Sequence, residues 1–561
     1  MDYGWKAARP HTLTGILDQR ALANPDRIAL TMQGQNLSYA NLVARANAYA
    51  RGLIQLGVRK GDVVAMFCEN CVAQVHAEFA TARIGAVEVM LNTGLKGTFL
   101  AHQLRDSGAK IIILERALLP NVLAILCDVP SLESIVLLDN EPYRGQAAAR
   151  AVPILPLNVL DLHAESDLSG VETPQWTDPC AIVYTSGTTG LSKGVQLSNN
   201  YICLFAELES RLWYRDKDDV FYSTGPLFHL AGKGIGVLGS IYRGVRCVQE
   251  ERFSASTFWR RVREEKATAT VMLGSIAMLL WGRERTDDEG IRTVVGIPIP
   301  ADLQLPMEQR WGCTFESAYG LSECAPVVCT GPAAPMKPGS AGKVCSDYYD
   351  VRVFDENDCE LPVGQVGEVV VRQLRPYSML DAYWKNPEAT LMAMRNQWFH
   401  TGDLGRFDAE GYFYFVDRGK DYMRRRGENI SSFEVESGLV RHPAILDSAV
   451  VSTASEVGED EIKAFITLRP AMSVDFLELV AFCVEHMPYY TVPRYFKILD
   501  ELPRTPSGKV QKGPLRERPN AECWDRERDG GIVLSGKRAK SNANAGGGEP
   551  PAPAPDKSTA K

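Results

Sequence analysis

The sequence lacks a hydrophobic run long enough to cross a membrane. Its longest uncharged apolar stretch, Ala267–Gly282, contains threonine, serine and glycine and is shorter than the roughly 20 residues that a transmembrane helix needs. We therefore predict a buried core segment there. The opening residues Met1–Lys6 have no apolar core of the kind found in signal peptides. We expect a cytoplasmic protein, and the sequence does not decide whether it also associates with a membrane surface.

The chain also lacks an excess of positive charge. Its 61 Lys and Arg residues are outnumbered by 69 Asp and Glu residues, which gives a net charge of −8. No basic stripe interleaved with aromatic residues appears, so we predict no nucleic-acid partner. The 13 cysteines are scattered, which is typical of reduced thiols in a cytosolic protein. Cys68 and Cys71 form a CxxC pair, but no second pair or paired histidines complete a zinc site, so we interpret these cysteines as structural.

The length of 561 residues and the hydrophobic content of 45% predict more than one domain, each with a buried core. Before residue 180, helical spacing, as in Tyr39–Leu56, alternates with short buried runs such as Asp62–Phe67 and Lys110–Leu114. This alternation predicts an α/β architecture with parallel sheets.

The pattern of predicted secondary structure and the composition change in the second half of the chain. Between Val351 and Tyr414, short strand-like runs separated by turn residues predict a β-rich section. Beyond Lys420, a helical run and strand-like runs predict a small α+β domain. From about Arg518 the composition is polar and then rich in Pro and Gly, which predicts a disordered tail over 518–561.

A loop rich in hydroxyl groups is the strongest functional signal. The preceding Ala181–Tyr184 predicts a strand, so the stretch that follows is a loop at its end. Glycines let backbone N–H groups approach an anion, hydroxyls add donors, and a lysine supplies charge for phosphate oxygens. The pattern predicts binding of a nucleoside triphosphate, although its spacing differs from the Walker sequence. The residues concerned are Thr185, Ser186, Gly187, Thr188, Thr189, Gly190 and Lys193.

Another glycine pattern, Gly234–Gly239, matches the dinucleotide-binding consensus G-x-G-x-x-G. No obvious strand precedes it, and no acidic residue follows at the spacing that a ribose contact needs. We interpret it as tight helix packing by small residues.

Further polar motifs follow in order. Ser317–Glu323 combines an aromatic ring, a glycine, a hydroxyl and a carboxylate, a set that suits a purine and Mg²⁺-bound phosphates. The later motifs are rich in Asp, Arg and Lys, and an aspartate there can accept both hydroxyls of a ribose. They are His400–Asp403, Asp417–Asp421, Arg425–Asn429 and Arg504–Lys509.

With these ordered motifs, the sequence resembles the adenylate-forming (ANL) superfamily from Leu13 to Leu515. This superfamily includes acyl-CoA synthetases, firefly-type luciferases and peptide-synthetase adenylation domains. Arg252–Trp259 is similar to the fatty-acid transport and very-long-chain acyl-CoA synthetases, and Arg426–Lys509 resembles the carnitine/crotonobetaine-CoA ligases. The resemblance implies an ATP-dependent, AMP-forming acyl-CoA ligase with a role such as fatty-acid metabolism. Its substrates would be a small-molecule carboxylic acid, ATP and CoA.

The resemblance also implies roles for single residues. The loop Thr185–Lys193 would hold the β- and γ-phosphates of ATP, with Thr185 near the metal. Tyr319, next to Gly320, would stack on adenine, Ser322 would contact the α-phosphate, and Glu323 would bind Mg²⁺. Asp403 and Arg418 would contact the ribose.

Three further roles follow from the resemblance. Lys509 would bridge the substrate carboxylate and the α-phosphate. His229 would lie beside that carboxylate or else be a packed core histidine. Gly427 would lie near a CoA tunnel. Arg425 or Arg426, close to Gly427, would either meet a CoA phosphate or face solvent. Lys233, one helical turn after His229, would either enter the acyl pocket or face solvent.

The domain organisation implied by the family is a large adenylate-forming domain over 1–417, a hinge over 418–420 and a mobile small domain over 421–517. The small domain would rotate at the hinge between two half-reactions, the first of which uses Lys509. An adenylation enzyme that loads a carrier protein remains an alternative, although no carrier domain follows in this chain. The nature of the acid and the presence of a homodimer stay open.

Overall fold

A computed structural model of the chain describes residues 11–144, 150–161, 168, 170–185, 192–282, 290–297, 299, 301–331, 334–418, 422–425, 428–454, 460–487, 491–505 and 509–534. Two compact units are present. The first comprises Met1–Lys420 with Arg504–Lys509, and the second comprises Asp421–Pro503 with Val510–Lys561. The predicted α/β class, with a β-rich section and a smaller α+β unit, is confirmed. The hinge at 418–420 stays a prediction.

An eight-stranded sheet lies in the first unit. Seven of its strands run in the same direction, and Lys193–Ser198, next to one edge, runs opposite to both of its neighbours. The predicted strands over 62–67 and 110–114 are confirmed to within one residue. Their side chains are buried throughout, which explains continuous apolar runs rather than alternation. In spatial order the strands are Ala382–Tyr383, Lys193–Ser198, Pro179–Thr185, Val87–Met90, Val63–Phe67, Ile111–Leu114, Ser134–Leu137 and Ile154–Pro156.

A seven-stranded sheet in the same unit is parallel except for one antiparallel pair at its edge. The stretch predicted as a buried core segment supplies one of its strands and the helix Gly274–Trp281. Among the described residues, no helix is long and apolar enough to cross a membrane. In spatial order the strands are Thr314–Glu316, Thr293–Ile297, Ala269–Leu273, Val220–Ser223, Arg246–Gln249, Ile28–Met32 and Gln35–Ser38.

Helices of the first unit pack on these two sheets. The helix Asn199–Trp213 begins at the cap Ser198, whose side chain accepts a hydrogen bond from the amide of Tyr201. This helix shares one hydrophobic core with residues of both sheets. The α-helices of the unit are Leu13–Ala23, Tyr39–Gln55, Val72–Arg83, Gly97–Ser107, Leu119–Leu123, Asn199–Trp213, Leu230–Gly232, Gly239–Arg243, Phe258–Glu264, Gly274–Trp281, Ala301–Trp311 and Pro387–Ala393.

The G-x-G-x-x-G stretch lies in a π-helical segment, Lys233–Leu238, between two short α-helices. A Cβ atom added to Gly234 would lie 2.2 Å from the ring of Phe205. The interpretation of these glycines as packing residues is therefore confirmed. Short 3₁₀ turns occur at Arg116–Leu118, Leu126–Asp128, Leu157–Val159, Arg395–Gln397 and Asn520–Glu522.

The β-rich section predicted between Val351 and Tyr414 forms one antiparallel sheet, and a second antiparallel sheet, which the sequence analysis missed, precedes it in the chain. The preceding sheet has three strands and the predicted one has four. The strands of the preceding sheet are Ala318–Leu321, Cys324–Cys329 and Lys343–Val344, and those of the predicted one are Tyr349–Phe354, Gly367–Gln373, Phe399–Phe407 and Phe413–Arg418.

The described residues of the second unit form two sheets and three α-helices, and the predicted small α+β domain is confirmed. A two-stranded sheet pairs Tyr422–Arg425 with Glu428–Ser431. The helices are Ser432–Val440, Phe476–His486 and Lys512–Arg516, and the strands of the four-stranded sheet are Ile445–Ala454, Asp460–Leu468, Tyr495–Ile498 and Trp524–Asp525.

The prediction of a disordered tail beginning at residue 518 is wrong for residues 518–534. Trp524–Asp525 pairs with Tyr495–Ile498 at the edge of the sheet, and the ring of Trp524 stacks on Phe476. Arg526 is fully buried, and its guanidinium donates to the backbone oxygens of Pro493 and Ile532. The segment can fold despite its polar composition because its charges are paired within the unit. Residues 535–561 lie outside the described part of the chain.

Candidate active site

The strands that flank the predicted phosphate loop form an antiparallel pair, with Thr185 opposite Lys193. The strand predicted before the loop is confirmed as Pro179–Thr185. The intervening Ser186, Gly187, Thr188, Thr189 and Gly190 lie outside the described residues. Thr185 and Lys193 are therefore the two predicted residues of this loop that the structure places, and they lie side by side.

Lys193 begins a row of three side chains that bring different motifs together. Its ammonium lies 5.1 Å from the ring centroid of Tyr383, a cation–π distance. The Tyr383 hydroxyl donates a hydrogen bond of 3.0 Å to Oε1 of Glu323. The structure thus links the predicted phosphate-binding lysine to the predicted magnesium ligand through a tyrosine that the sequence analysis missed.

Tyr383 occupies this position because the two-residue strand Ala382–Tyr383 pairs with the strand that begins at Lys193. Burial raises the pKa of the Tyr383 phenol, and the nearby Glu323 carboxylate raises it further. The phenol therefore stays protonated and acts as a donor. Sequence analysis missed Tyr383 because it lies far along the chain from the other motifs, on a strand too short to show periodicity.

A tight hairpin positions Ser322 and Glu323. The two residues form the turn between Ala318–Leu321 and Cys324–Cys329. Gly320 is required here, since a Cβ atom would lie 2.7 Å from the Cα atom of Ala325. The backbone oxygen of Ser322 accepts a hydrogen bond of 3.1 Å from the Tyr201 hydroxyl, so a core helix holds the turn. Glu323 is 6% exposed.

The predicted adenine and ribose residues lie together. The Tyr319 hydroxyl donates a hydrogen bond of 2.9 Å to Oδ2 of Asp403. Asp403 is directly opposite Arg418 in the antiparallel pair of strands that carries them. The ring of Tyr319 also lies 4.8 Å from Phe413 and 5.9 Å from Phe415, measured between centroids. These two phenylalanines, also missed by the sequence analysis, fix the plane of the tyrosine ring.

Burial also controls the protonation of these groups. It raises the pKa of Tyr319 well above its usual value, and the adjacent Asp403 carboxylate adds to the rise. The Tyr319 phenol is therefore a permanent hydrogen-bond donor to Asp403. The amide of Asp403 donates to the Thr401 hydroxyl at 3.1 Å, which fixes the backbone at the carboxylate.

His229 follows a turn at the end of a strand of the seven-stranded sheet. Its amide donates to the Pro226 oxygen at 3.1 Å, and its Nδ1 accepts a hydrogen bond of 3.3 Å from the amide of Ala231. An Nδ1 that accepts leaves the proton of the neutral ring on Nε2. Burial lowers the pKa of His229 to about 4, so the ring is neutral near pH 7 and can donate from Nε2.

Lys233 does not enter a substrate pocket as a free cation. Its side chain is 2% exposed, and its ammonium lies 2.6 Å from Oε2 of Glu88 and 3.1 Å from Oε1 of Glu78. Both carboxylates are also buried. The alternative in which Lys233 faces solvent is therefore wrong: this lysine is the centre of an ion triad inside the first unit.

The predicted residues near the end of the chain are placed only in part. The backbone oxygen of Lys509 accepts a hydrogen bond from the Thr505 amide, and the Thr505 hydroxyl accepts from the Lys509 amide at 3.1 Å. Arg426 and Gly427 lie outside the described residues. Arg425 is 2% exposed and lies 2.9 Å from Glu461. It is therefore a buried residue of the second unit, which excludes both roles considered for it.

Comparison with known proteins connects this geometry to a family. Residues 17–384 match the model of the AMP-binding enzymes, and residues 434–509 match that of the AMP-binding enzyme C-terminal domain. The chain belongs to the family of AMP-binding enzymes.

Named relatives cover almost the same length. A feruloyl-CoA synthase of Amycolatopsis sp is 32% identical over 514 residues, 89% of this chain and 97% of the relative. A crotonobetaine/carnitine–CoA ligase of Salmonella typhi is 30% identical over 491 residues, 86% of this chain and 93% of the relative. The anthranilate CoA ligase AuaEII, solved in complex with anthranoyl-AMP, is similar with a TM-score of 0.82 at 26% identity. That match covers 90% of this chain and 96% of the ligase.

These matches confirm the predicted adenylate-forming superfamily and its acyl-CoA ligase branch. The fold and the enzyme class predicted from the motifs are therefore correct. The roles of single residues stay predictions.

Proposed function

We propose that this chain is an ATP-dependent acyl-CoA ligase. It activates a small-molecule carboxylic acid as an acyl-adenylate, releases pyrophosphate, and transfers the acyl group to CoA with release of AMP. The observation that carries the proposal is the row Lys193–Tyr383–Glu323, in a chain that belongs to the AMP-binding enzymes. It unites a cation for phosphate oxygens with a carboxylate for a metal ion.

The first half-reaction brings two anions together, so charge neutralisation and positioning are its main demands. In the proposal, Lys193 and the N–H groups and hydroxyls of its loop bind the β- and γ-phosphates. Tyr319 stacks on the adenine, and Asp403 accepts hydrogen bonds from the ribose. Because Phe413 and Phe415 pack against Tyr319, the adenine platform is held rigidly.

The family implies Mg²⁺, and the residues present fit it. Mg²⁺ is usually held by one or two carboxylates together with substrate phosphates, and Glu323 is a buried carboxylate oriented by Tyr383. Glu323 would hold the ion, with the Thr185 hydroxyl nearby. When bound, the ion would neutralise phosphate charge that develops as pyrophosphate leaves.

His229 suits the acid-binding end of the site. As a neutral ring, it can donate from Nε2 to one oxygen of the substrate carboxylate without pairing with its charge. A donor of this kind orients the carboxylate while leaving the second oxygen nucleophilic. Ser322 contacts the α-phosphate in the same proposal.

Lys509 provides the positive charge that joins the attacking carboxylate and the α-phosphate. Gly427 belongs to the second half-reaction, in which CoA displaces AMP. The hinge over 418–420 and the rotation of the small unit are part of the proposal.

ATP–pyrophosphate exchange tests the first half-reaction. Lys509→Ala is expected to lower the exchange rate by about 10²-fold or more, because a charge acting on the transition state is lost. Thioester formation from a pre-formed acyl-adenylate should be affected far less. Lys217→Ala, at an exposed lysine, is the matched control. Unchanged exchange in Lys509→Ala would refute the assignment.

The acid and the acceptor are found by screening. Pyrophosphate release should be measured with ferulate, crotonobetaine, carnitine and anthranilate, the acids in the names of the relatives. Fatty acids of several lengths complete the panel. CoA and a phosphopantetheinyl carrier protein are then compared as acceptors. Transfer to the carrier in preference to CoA would favour the alternative of a carrier-loading enzyme.

A further inference from the structure

A buried asparagine lies where the two large sheets of the first unit approach each other. Asn70 follows Val63–Phe67 of the eight-stranded sheet and is 3% exposed. Its Nδ2 donates to the backbone oxygens of Gly225 at 2.9 Å and Glu250 at 3.0 Å. Its Oδ1 accepts from the amide of Leu227 at 2.7 Å. One carboxamide therefore uses both N–H groups and its oxygen on two segments of the other sheet.

These segments lie at the carboxyl ends of parallel strands. Gly225 follows Val220–Ser223, and Glu250 follows Arg246–Gln249. In open α/β sheets, the crevice beyond the carboxyl ends of the strands is where ligands bind. Asn70 thus ties the two sheets together at the edge from which the turn to His229 departs.

The turn that Asn70 holds is tightly packed. A Cβ atom on Gly225 would lie 2.9 Å from the Cα atom of Gly232, and one on Gly232 would lie 2.2 Å from the oxygen of Pro226. With the hydrogen bond from the His229 amide to the Pro226 oxygen, the segment from Gly225 to Gly232 is closely packed on itself. Its anchors therefore set the position of the imidazole.

The side chain of Gln249 makes two of the three contacts that Asn70 makes. Nε2 of Gln249 also donates to the oxygens of Gly225 and Glu250, at 2.9 and 3.0 Å. Those two oxygens keep a donor when Asn70 is removed. The contact made by Asn70 and not by Gln249 is the one to the Leu227 amide, two residues before His229.

We propose that Asn70 is a positioning residue, which holds the Leu227 amide and thereby places the imidazole of His229 for the substrate carboxylate. The proposal rests on the proposed function for the identity of that carboxylate. Its structural part, the anchoring of the turn, does not depend on catalysis. Asn70 touches no reacting atom and acts through His229.

Hydrogen exchange followed by mass spectrometry tests the anchoring in the protein without substrate. In Asn70→Ala, exchange in peptides that cover residues 224–232 should rise by about tenfold or more, because the Leu227 amide loses its acceptor. Gln249→Ala is the matched control and should change these peptides much less. Asn70→Asp retains an acceptor for Leu227 but turns a carboxylate oxygen toward the backbone oxygens of Gly225 and Glu250, so it should restore only part of the protection.

Kinetics test the action through His229, with ferulate as the probe acid in ATP–pyrophosphate exchange. Asn70→Ala should raise the KM for ferulate by about tenfold, since small displacements of a positioned group are costly, while the KM for ATP stays within about twofold. In a His229→Ala background, Asn70→Ala should raise the KM for ferulate little further, because Asn70 acts through the imidazole that is already absent.

The outcomes distinguish the two proposals. Equal protection of residues 224–232 in the wild type and in Asn70→Ala overturns the role of Asn70, even if the enzyme is active. So do equal effects of Asn70→Ala on the KM for ferulate and for ATP, or full additivity with His229→Ala. Absence of exchange with every acid of the panel counts against the proposed function, and the hydrogen-exchange result then decides the anchoring alone.

Discussion

Substitution of Lys233 by methionine should strongly destabilise the first unit. The change removes the ammonium that lies between two buried carboxylates, Glu78 and Glu88. Removing one partner of a buried ion pair costs about 3–5 kcal/mol, because the remaining charge is left without compensation. The side chain fits sterically, since methionine has a volume similar to that of lysine. The loss is therefore electrostatic rather than a cavity effect.

The pH dependence of stability supplies a second test of the triad. Burial raises the pKa of Glu78 to about 7, despite the opposing charge of Lys233. Because the folded protein holds this proton more tightly than the unfolded chain, the contribution of Glu78 to stability is fully present at low pH. That contribution is lost as the pH rises through the raised pKa. Glu78→Gln should flatten that part of the profile.

Urea denaturation followed by tryptophan fluorescence measures both effects. Lys217→Met is the control, since the Lys217 side chain is 79% exposed. Replacing the whole triad, with Lys233→Met, Glu78→Leu and Glu88→Leu together, should recover most of the lost stability. A loss in Lys233→Met no larger than in the control, or no recovery in the triple variant, would refute the reasoning.

Three further predictions concern the site and the small unit. Tyr383→Phe removes the hydrogen bond to Glu323. The Mg²⁺ concentration for half-maximal exchange should therefore rise about tenfold, as for other groups that orient a metal ligand. An unchanged Mg²⁺ concentration for half-maximal exchange argues against Glu323 as the ligand. Because the pKa of His229 is about 4, the exchange rate should show no titration of this ring between pH 6 and 8, and a step there that disappears in His229→Ala contradicts the burial argument. A chain that ends at Pro519 should unfold at a lower temperature than one that ends at Leu534, measured by calorimetry, because it lacks a strand and the buried Arg526.

Local chemistry made the fold and the family predictable, and it indicated the residues of the candidate site, whose single roles stay predictions. The hydroxyl-rich loop, the hairpin around Ser322 and the turn before Lys509 are short motifs whose residue types indicate their chemistry. Buried parallel strands such as Val63–Phe67 were predictable because both faces are apolar. The order of these motifs then indicated the superfamily, which the family matches confirm.

Contacts between distant segments were not predictable in the same way. Tyr383 lies on a strand of two residues, too short to show a period, and its partner strand begins at Lys193. Nothing in the sequence near Asn70 distinguishes it from other polar residues that follow strands, because its partners at Gly225 and Leu227 are far away in the chain. The segment 518–534 was misjudged because its many charges resemble those of a disordered chain, whereas Arg494 and Asp525 pair with each other in the folded unit.

The pairing of Ala382–Tyr383 with Lys193–Ser198 has a consequence for synthesis on the ribosome. Asp381, just before the late strand, lies 185 residues after Gln196 on its partner. At the usual speed of translation, about 10 to 40 s pass before the late strand emerges. During that interval the nascent chain exposes one unpaired strand edge, the kind of surface that recruits other strands. Chaperone dependence during expression is therefore expected to be greatest before residue 383 has left the exit tunnel.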